Sequence, residues 1–284
     1  MYNFFMPIIS NQTNFFYEKH FVFSGKDILL CNLENSRESV ITEKNLPDEN
    51  ILRKIFSAQI ASDWFSETDL NYNAVLLEKD APVPEGCSLI PIREFFWETK
   101  SSDERKSAEP SSLGSLSARA YGLLKLREQY RFCPKCAGKL SDDTHFSAKR
   151  CTSCGNIIFP RIEPAVIVLV TKGEKILLAK NKNRSYDFWS CISGFIELGE
   201  NAEQAVRREV MEETGLTVKN IQYKGSQSWP FPDELMLAFT AEWESGEIRI
   251  QEEELDAAQW FSRDALPDLP RPGSVAYNLV SGLF

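Results

Sequence analysis

Residues 194–216 decide the fold, and they read GFIELGE at 194–200 and REVMEETGL at 208–216, with seven residues between. The stretch predicts a tight loop followed by a helix over residues 201–214. Asn201 is a good N-cap, with Gln204 at the third helical position as in a variant capping box. Gly215 suits the left-handed conformation that ends many helices. The sequence therefore predicts one helix with marked ends.

Two glutamates of this helix fall on its apolar side. At about 100° per residue, Glu209 and Glu213 lie within the arc that contains Ala205 and Val206. A run of glutamates is usually a solvated helix face. Carboxylates one turn apart repel each other, however, and are costly to bury. Their position favours a divalent cation, with Arg208 placed to orient carboxylates by hydrogen bonding.

Strands surround this helix in the C-terminal part of the chain. Residues 165–170 and 175–179 predict a strand pair around a turn at 172–173, and residues 236–243 predict a further strand. Strands and helices in this order indicate an α/β sandwich. Short apolar runs before residue 97 predict a mostly β domain. Within it, apolar residues recur at helical spacing over residues 51–65 and predict one amphipathic helix.

The composition of the 284 residues, 43% of them hydrophobic, is typical of a globular chain with more than one domain. Residues 100–115 are rich in Ser, Pro, Gly and charge and form the best linker candidate. We expect an N-terminal domain over residues 1–100, and a linker with a short helix over 101–130. A cysteine-containing ribbon follows over 131–158, and a second globular unit over 159–284.

The ribbon contains two CxxC knuckles separated by fourteen residues. This spacing allows four thiolates to close a tetrahedral Zn²⁺ site. Two local disulfides or a redox pair would not explain the matched second knuckle. Since four cysteines leave no coordination position open, the zinc is expected to be structural. The predicted ligands are Cys133, Cys136, Cys151 and Cys154, whereas His145 in the ribbon loop is expected to be a surface residue.

The formal charge of −9 argues against a protein that coats nucleic acid through bulk electrostatics. Residues 117–161 nevertheless contain nine Lys/Arg against three acids, which predicts a local basic patch. Cys31, Cys87 and Cys191 are isolated in sequence and are interpreted as small buried hydrophobes. The odd cysteine count and the lack of a long apolar run favour a cytoplasmic protein without a membrane span.

Every fixed position of residues 194–216 matches GX5EX7REUXEEXGU, in which U is aliphatic, so the segment resembles the Nudix box. The resemblance implies an α/β/α Nudix sandwich and attack by a metal-activated water on a diphosphate. It implies Mg²⁺ or Mn²⁺ at Glu209 and Glu213, a carbonyl ligand at Ser193, and one more glutamate before Trp260, matched by Glu254. The residues that it assigns to catalysis are Glu200, Arg208, Glu209, Glu212, Glu213 and Glu254.

Residues 226–234 read SQSWPFPDE and resemble the SQPWPFPxS signature of the NADH pyrophosphatase branch of Nudix hydrolases. That branch also has a four-cysteine ribbon and a degenerate N-terminal Nudix-like domain. Ser228 and Glu234 depart from the signature, which puts the contacts at these two positions in doubt. The substrate-binding residues that the resemblance implies are Phe159, Phe195, Gln227, Ser228, Trp229, Pro230, Phe231, Pro232, Asp233, Glu234 and Ala276.

The resemblance implies hydrolysis of NAD(H) to nicotinamide mononucleotide and AMP by a homodimer, and it extends to removal of NAD caps from RNA 5′ ends. The basic patch is then a candidate for contact with the RNA backbone, or merely a solubilising surface. Another dinucleotide such as ADP-ribose is the alternative substrate. A zinc-ribbon nucleic-acid-binding module with a vestigial Nudix fold is the alternative from another class, and the intact box argues against it.

Overall fold

The computed structural model describes residues 19–32, 42–67, 70–99, 112–182, 187–231 and 233–284. The chain divides into two compact units, Met1–Arg161 and Ile162–Phe284. The finer four-part division remains a prediction. In the described ranges, no helix has the length and apolar character needed to cross a bilayer.

The N-terminal unit is built on a five-stranded sheet with the order β3-β4-β1-β2-β5, in which only β1 and β4 are parallel. Its strands are β1 (Lys19–Ser24), β2 (Asp27–Cys31), β3 (Ala61–Glu67), β4 (Tyr72–Leu77) and β5 (Cys87–Pro91). Its helices are a 3-10 turn (Glu43–Asn45), α1 (Glu49–Ser57), α2 (Ile92–Thr99) and α3 (Leu113–Gln129). Leu52 and Ile55 of α1 pack on strand residues such as Val22 and Val75.

The helix predicted over residues 51–65 is wrong in its second half. It ends at Ser57, because Gln59 takes a left-handed conformation (φ 54°) and the N–H of Ile60 turns back to the carbonyl of Ile55. Trp64, which continues the helical spacing, lies instead on β3. Tertiary pairing of β3 with β4 therefore overrides the local periodicity.

One pair of cysteines also differs from the expectation. Cys31 and Cys87 face each other across β2 and β5 and form a disulfide, so the interpretation of both as isolated buried thiols was wrong. Cys191 is a buried free cysteine, as predicted, and burial raises the pKa of its thiol to about 12. The unit also contains a three-stranded ribbon of β6 (Leu140–Asp142), β7 (Lys149–Cys151) and β8 (Ile157–Ile158).

The C-terminal unit contains a six-stranded sheet. Five strands follow the order β12-β13-β9-β10-β14, and the sixth, β11, pairs with the part of β9 that β10 leaves unpaired. Its strands are β9 (Glu163–Lys172), β10 (Lys175–Asn181), β11 (Ile192–Phe195), β12 (Thr217–Trp229), β13 (Glu234–Ser245) and β14 (Leu255–Ser262). Its helices are α4 (Ala202–Thr214) and α5 (Val275–Val280). β13 and β9 are parallel, and the other pairs are antiparallel.

Strand β9 separates the two layers of core in this unit. Val166, Val168 and Val170 share one apolar cluster with α4, whereas Ala165, Ile167 and Leu169 share the other with α5. Successive strand residues point to opposite faces, so an unbroken apolar strand needs a helix on each side. The predicted α/β/α sandwich is thus confirmed, with α4 on one face and α5 on the other.

Candidate active site and zinc ribbon

Helix α4 begins and ends at the predicted residues. The side chain of Asn201 accepts from the N–H of Gln204, and the side chain of Gln204 accepts from the N–H of Asn201, both at 2.8 Å. Gly215 adopts a left-handed conformation (φ 70°) as the C-cap. These caps fix the register of the helix, and the register decides which glutamates face the sheet.

The four glutamates of α4 divide into two pairs. Glu209 and Glu213 are only 8% and 3% exposed, whereas Glu203 and Glu212 are exposed. The buried pair is one helical turn apart and lies beside Val206 and Val210 in the apolar layer. The helix therefore places two carboxylates where ordinary helices place aliphatic side chains.

Gly194 of β11 is in close contact with Glu209. A Cβ atom at this position would lie 2.0 to 2.3 Å from the carboxylate carbon and oxygens of Glu209. The sequence predicted a tight loop before the helix, whereas Gly194 lies on a strand, at a position that leaves no room for a side chain. Gly199 is the residue of the loop with a positive φ (91°).

Arg208 connects the loop to the helix through five hydrogen bonds. Its Nε and Nη2 donate to the two oxygens of Glu200 at 2.7 and 2.9 Å. Its Nη1 donates to Glu209 at 2.7 Å and to Glu212 at 3.1 Å, and Nη2 also donates to the carbonyl of Phe195 at 2.8 Å. A guanidinium can hold several acceptors in fixed geometry. Arg208 thus fixes three carboxylates relative to one another.

The carboxylates differ in their proton affinity. Hydrogen bonding from Arg208, supported by the N–H of Glu197, lowers the pKa of Glu200 to about 2. Burial raises the pKa of Glu209, against the opposing effect of Arg208, and the charges of Glu212 and Glu254 add to the rise. Glu209 is therefore a carboxylate that a positive charge would stabilise in its ionised form.

Glu254 lies in the exposed segment before β14, together with Glu252 and Glu253. The N–H of Gln251 donates to the carbonyl of Glu213 at 3.0 Å, so this segment lies beside the end of α4 that carries the buried pair, and the charge of Glu254 contributes to the raised pKa of Glu209. Ser193 lies on β11 opposite Ile167 and is half-buried. Thus the segment that contains Glu254 lies beside the buried pair, and Ser193 lies next to Gly194.

The four cysteines of the ribbon lie together, with their sulfur atoms within 4.8 Å of one another. The Sγ atoms of Cys133 and Cys154 are 3.8 Å apart, and those of Cys136 and Cys151 are 3.5 Å apart. Tetrahedral Zn–S bonds of about 2.3 Å require roughly 3.8 Å between sulfurs. The N–H of Cys154 donates to Cys151 Sγ and lowers the pKa of Cys151 to about 6. The cysteines thus fit a tetrahedral zinc site.

His145 is exposed, and its Nδ1 lies 2.9 Å from the hydroxyl of Thr144. It is not part of the thiol cluster. Among the residues that the structure describes, no group of three carboxylates comes equally close. The glutamates instead suit Mg²⁺, which is usually held by one or two carboxylates together with substrate phosphates rather than by a protein cage.

The predicted substrate segment forms the end of a β-hairpin. Trp229 is the last residue of β12 and pairs with Glu234, the first residue of β13. The rings of Trp229 and Phe231 meet edge to face at 5.8 Å. Ser228 is exposed, and Pro230, Asp233 and Glu234 are half-buried around the two rings. Pro232 lies outside the described residues.

Two residues of the predicted substrate set make internal contacts. The side chain of Gln227 donates to the carbonyl of Gly273 and accepts from the N–H of Val275, both at 3.0 Å. Ala276 is buried in α5, in the apolar layer that also contains Met236 and Leu279. Their side chains are therefore occupied in joining the hairpin to α5.

The two phenylalanines of the predicted substrate set that lie outside the hairpin, Phe159 and Phe195, belong to different units. Phe159, in the N-terminal unit, is exposed, and its ring centre lies 5.7 Å from that of Phe146. Phe195, the last residue of β11, is also exposed, and its carbonyl accepts from Arg208. Each ring presents a face to solvent within its own unit.

Comparison with known proteins agrees with this geometry. The NUDIX domain model matches residues 161–279. Among curated proteins named NAD-capped RNA hydrolase NudC, one from Chromobacterium violaceum is 45% identical over 173 residues, covering 61% of this chain and 65% of that protein. One from Pseudomonas aeruginosa is 41% identical over 206 residues, covering 72% and 70%. One from Haemophilus influenzae is 42% identical over 214 residues, covering 69% and 81%.

The match to the Chromobacterium protein thus spans just under two thirds of that relative's length, and the other two matches span more. The family match covers the sandwich with the buried Glu209–Glu213 pair and the Gly194 contact, while the matches to the relatives are longer than the domain. The chain therefore belongs to the Nudix family, in the branch that contains these relatives.

Proposed function

We propose that the chain hydrolyses the pyrophosphate bond of NAD(H) to give nicotinamide mononucleotide and AMP, and that it also removes NAD caps from RNA 5′ ends. The observation that carries the proposal is the carboxylate of Glu209, held between Gly194 and Arg208 in an apolar layer. A buried, oriented carboxylate beside a second one is the donor set that diphosphate chemistry with a hard cation requires. The names of the relatives supply the substrate class.

The proposed cation is Mg²⁺ or Mn²⁺, held by Glu209 and Glu213 with help from Glu254 and the carbonyl of Ser193. When bound, such an ion supplies neutralisation of the diphosphate charge and a lowered pKa of attacking water. Glu200 and Arg208 are proposed to position Glu209, since a guanidinium with five hydrogen bonds has little freedom. Glu212 extends the carboxylate set into solvent, where it can accept a proton from water.

The proposed substrate platform is the hairpin end that carries Trp229 and Phe231. The two rings meet edge to face, so each limits the motion of the other, and a single ring face is what the stacking of a nicotinamide or adenine ring requires. Phe195 and Phe159 are proposed to stack on a base. Ser228, Pro230, Pro232, Asp233 and Glu234 are proposed to border the substrate, with Gln227 and Ala276 supporting them from the α5 side.

The zinc ion is proposed to be structural, because the ribbon core is very small. Only Cys133, Leu140 and Cys151 are buried in its cluster, with Tyr130 and Ile158 packed against them. So few apolar contacts do not hold a ribbon together without a metal. Homodimerisation, a cytoplasmic location and the separation of the ribbon as its own domain belong to the same proposal.

A substrate panel tests the proposed reaction. The purified chain is incubated with NADH, NAD, ADP-ribose and NAD-capped RNA under Mg²⁺ or Mn²⁺, and mononucleotide release is measured. We expect Glu213→Gln to lose nearly all activity and Glu203→Gln, on the exposed face of the same helix, to retain it. Cleavage of ADP-ribose in preference to every NAD substrate would refute the proposal that NAD(H) is the substrate. Equal activity of the two variants would refute the proposal that the active site lies at the buried glutamates.

A further inference from the structure

The first zinc knuckle presents an aromatic ring to solvent. Residues 131–140 form a short hairpin, in which the N–H of Leu140 donates to the carbonyl of Arg131 and the N–H of Cys133 donates to that of Gly138. Phe132 bridges Lys139 across this hairpin and is 62% exposed. Directly opposed residues of an antiparallel pair project to the same face. Phe132 and Lys139 thus form a ring and a cation side by side.

The basic residues around the ribbon are not equivalent. Four of the nine in residues 117–161 form ion pairs with acids: Arg119 with Glu67, Arg127 and Lys149 with Asp142, and Arg150 with Asp143. In contrast, Arg131, Lys135 and Lys139 are exposed and make no ion pair within the described ranges. Lys125 and Arg161, the remaining two of the nine, take part in other interactions. The three exposed cations without an ion pair among the described residues of this patch thus lie on the first knuckle.

The three exposed cations of the first knuckle could have either of two roles. They could offset the doubly negative charge of a dication bound by four thiolates, which is a structural role. That role does not account for an aromatic ring of which more than half is in water, beside a cation on the same face. A ring next to basic side chains is the arrangement that binds a strand with unpaired bases, because bases stack on the ring while phosphates pair with the cations.

We propose that the knuckle surface, formed by Arg131, Phe132, Lys135 and Lys139, binds single-stranded RNA. One unpaired base stacks on Phe132, and the flanking phosphates contact the two lysines and the arginine. The inference rests on the proposed function for its choice of RNA, since a capped substrate carries a strand beyond the cap. The surface would then act on the RNA body and leave the hydrolysis of free NAD unchanged.

Binding of an uncapped strand tests this surface apart from the reaction. A fluorescent single-stranded RNA of about 12 nucleotides, within the usual site size of such surfaces, is titrated with the full chain by anisotropy. Lys135→Glu/Lys139→Glu is compared with Lys26→Glu/Lys79→Glu, which makes the same charge change on exposed lysines outside the ribbon. Zinc content of every variant is measured, because Lys135 lies between two zinc ligands.

We expect the knuckle pair to lose about 25-fold in affinity at roughly 0.1 M salt, and the salt slope to fall by about 1.4, from a contribution of about 0.7 per phosphate contact. The control pair is expected to bind as the wild type does. A hairpin RNA with fully paired bases is expected to bind more weakly than the open strand. Equal losses for both lysine pairs, or no loss for either, would overturn the proposal.

Phe132 provides the second variant pair, which does not change charge. Phe132→Leu is expected to weaken RNA binding by about fivefold or more, the usual loss of one stacked base, whereas Phe132→Tyr retains it. With NAD-capped RNA the Leu variant raises KM, while kcat/KM for free NAD stays at the wild-type value. If Phe132→Leu binds RNA normally and instead shifts the sedimentation coefficient, the surface contacts a second copy of the chain and the proposal is wrong.

The two proposals fail in different ways. If the wild type cleaves no NAD substrate, the proposed reaction is wrong, whatever the RNA titration shows. If the wild type cleaves NAD but both sets of knuckle variants bind RNA normally, the reaction stands and the knuckle surface is wrong. If the lysine variants lose zinc, the RNA affinities of Phe132→Leu and Phe132→Tyr test the knuckle surface instead.

Discussion

The substitution Gly194→Ala tests the close contact on which the candidate active site depends. The new Cβ would lie 2.0 Å from the carboxylate carbon of Glu209, whereas real Cβ atoms essentially never approach within 3.0 Å. The carboxylate must therefore move by about 1 Å or more, since both strand and helix are held in the sheet layer. A displacement of that size can cost about 10²-fold in rate. Overpacking is expected to lower the free energy of unfolding by about 1–3 kcal/mol.

The assay measures kcat/KM for NAD hydrolysis as a function of Mg²⁺ concentration, together with urea unfolding. Gly122→Ala is the matched control, because Gly122 lies within α3 with nothing within 4 Å of its Cβ position. That change should leave kcat/KM unaltered and stabilise the chain by about 0.5–1 kcal/mol. Wild-type kcat/KM and metal dependence in Gly194→Ala would refute the reasoning.

A double-mutant cycle separates displacement from a general loss of stability. Glu209→Asp shortens the side chain, so it withdraws the carboxylate from the new methyl group. If the clash is the cause, the losses for Gly194→Ala and Glu209→Asp are not additive. Strict additivity would place the effect of the alanine elsewhere than on Glu209.

Three other perturbations have defined outcomes. Arg208→Lys leaves one ammonium in place of five hydrogen bonds, so we expect a loss of about 10- to 100-fold in metal affinity, measured by Mn²⁺ titration; unchanged affinity would mean that Glu209 is held by other groups. The lowered pKa of Glu200 contributes stability that is complete above the ordinary carboxyl pKa of 4.5 and is lost as pH falls through about 2. The Tm difference between wild type and Glu200→Gln in metal-free buffer should therefore vanish near pH 2, and a constant difference would contradict this. The disulfide of Cys31 and Cys87 closes a loop with a sequence separation of 56, worth about 4 kcal/mol; urea unfolding should respond to a thiol reductant in the wild type and not in Cys31→Ser.

The helix of the candidate site could be predicted in detail because its signals are local. The capping box spans three residues, the C-cap is a single glycine, and the buried carboxylates follow from the helical repeat. The zinc knuckles are equally local, since each CxxC pair fixes its own turn. The sandwich was predicted from the order of strands and helices, and the unbroken apolar run over residues 165–170 agrees with cover on both faces.

Features that depend on distant partners could not be predicted in this way. Four basic residues of residues 117–161 form ion pairs with acids, and one of these acids, Glu67, lies 52 residues from its partner Arg119. The cross-strand meeting of Cys31 and Cys87 depends on the register of β2 and β5. A local pattern contains no information on register between separate strands. The predicted basic patch thus has less free charge than the count of its basic residues suggested.

The SQPWPFPxS-like segment contains residues with local roles and residues whose partners are distant in sequence. The consequence of a departure from the signature depends on which kind of residue is replaced. Gln227 matches the signature, yet its amide is used on both sides, by Gly273 and Val275, which are 46 and 48 residues away. It therefore sets the position of the hairpin end relative to α5, and Trp229 follows it by two residues on the same strand face. Ser228 points to the other face and is exposed. A proline at position 228 would change the edge of β12 and leave both hydrogen bonds of the Gln227 side chain intact. The departure at Ser228 therefore alters the exposed side of the hairpin end and not its attachment to α5.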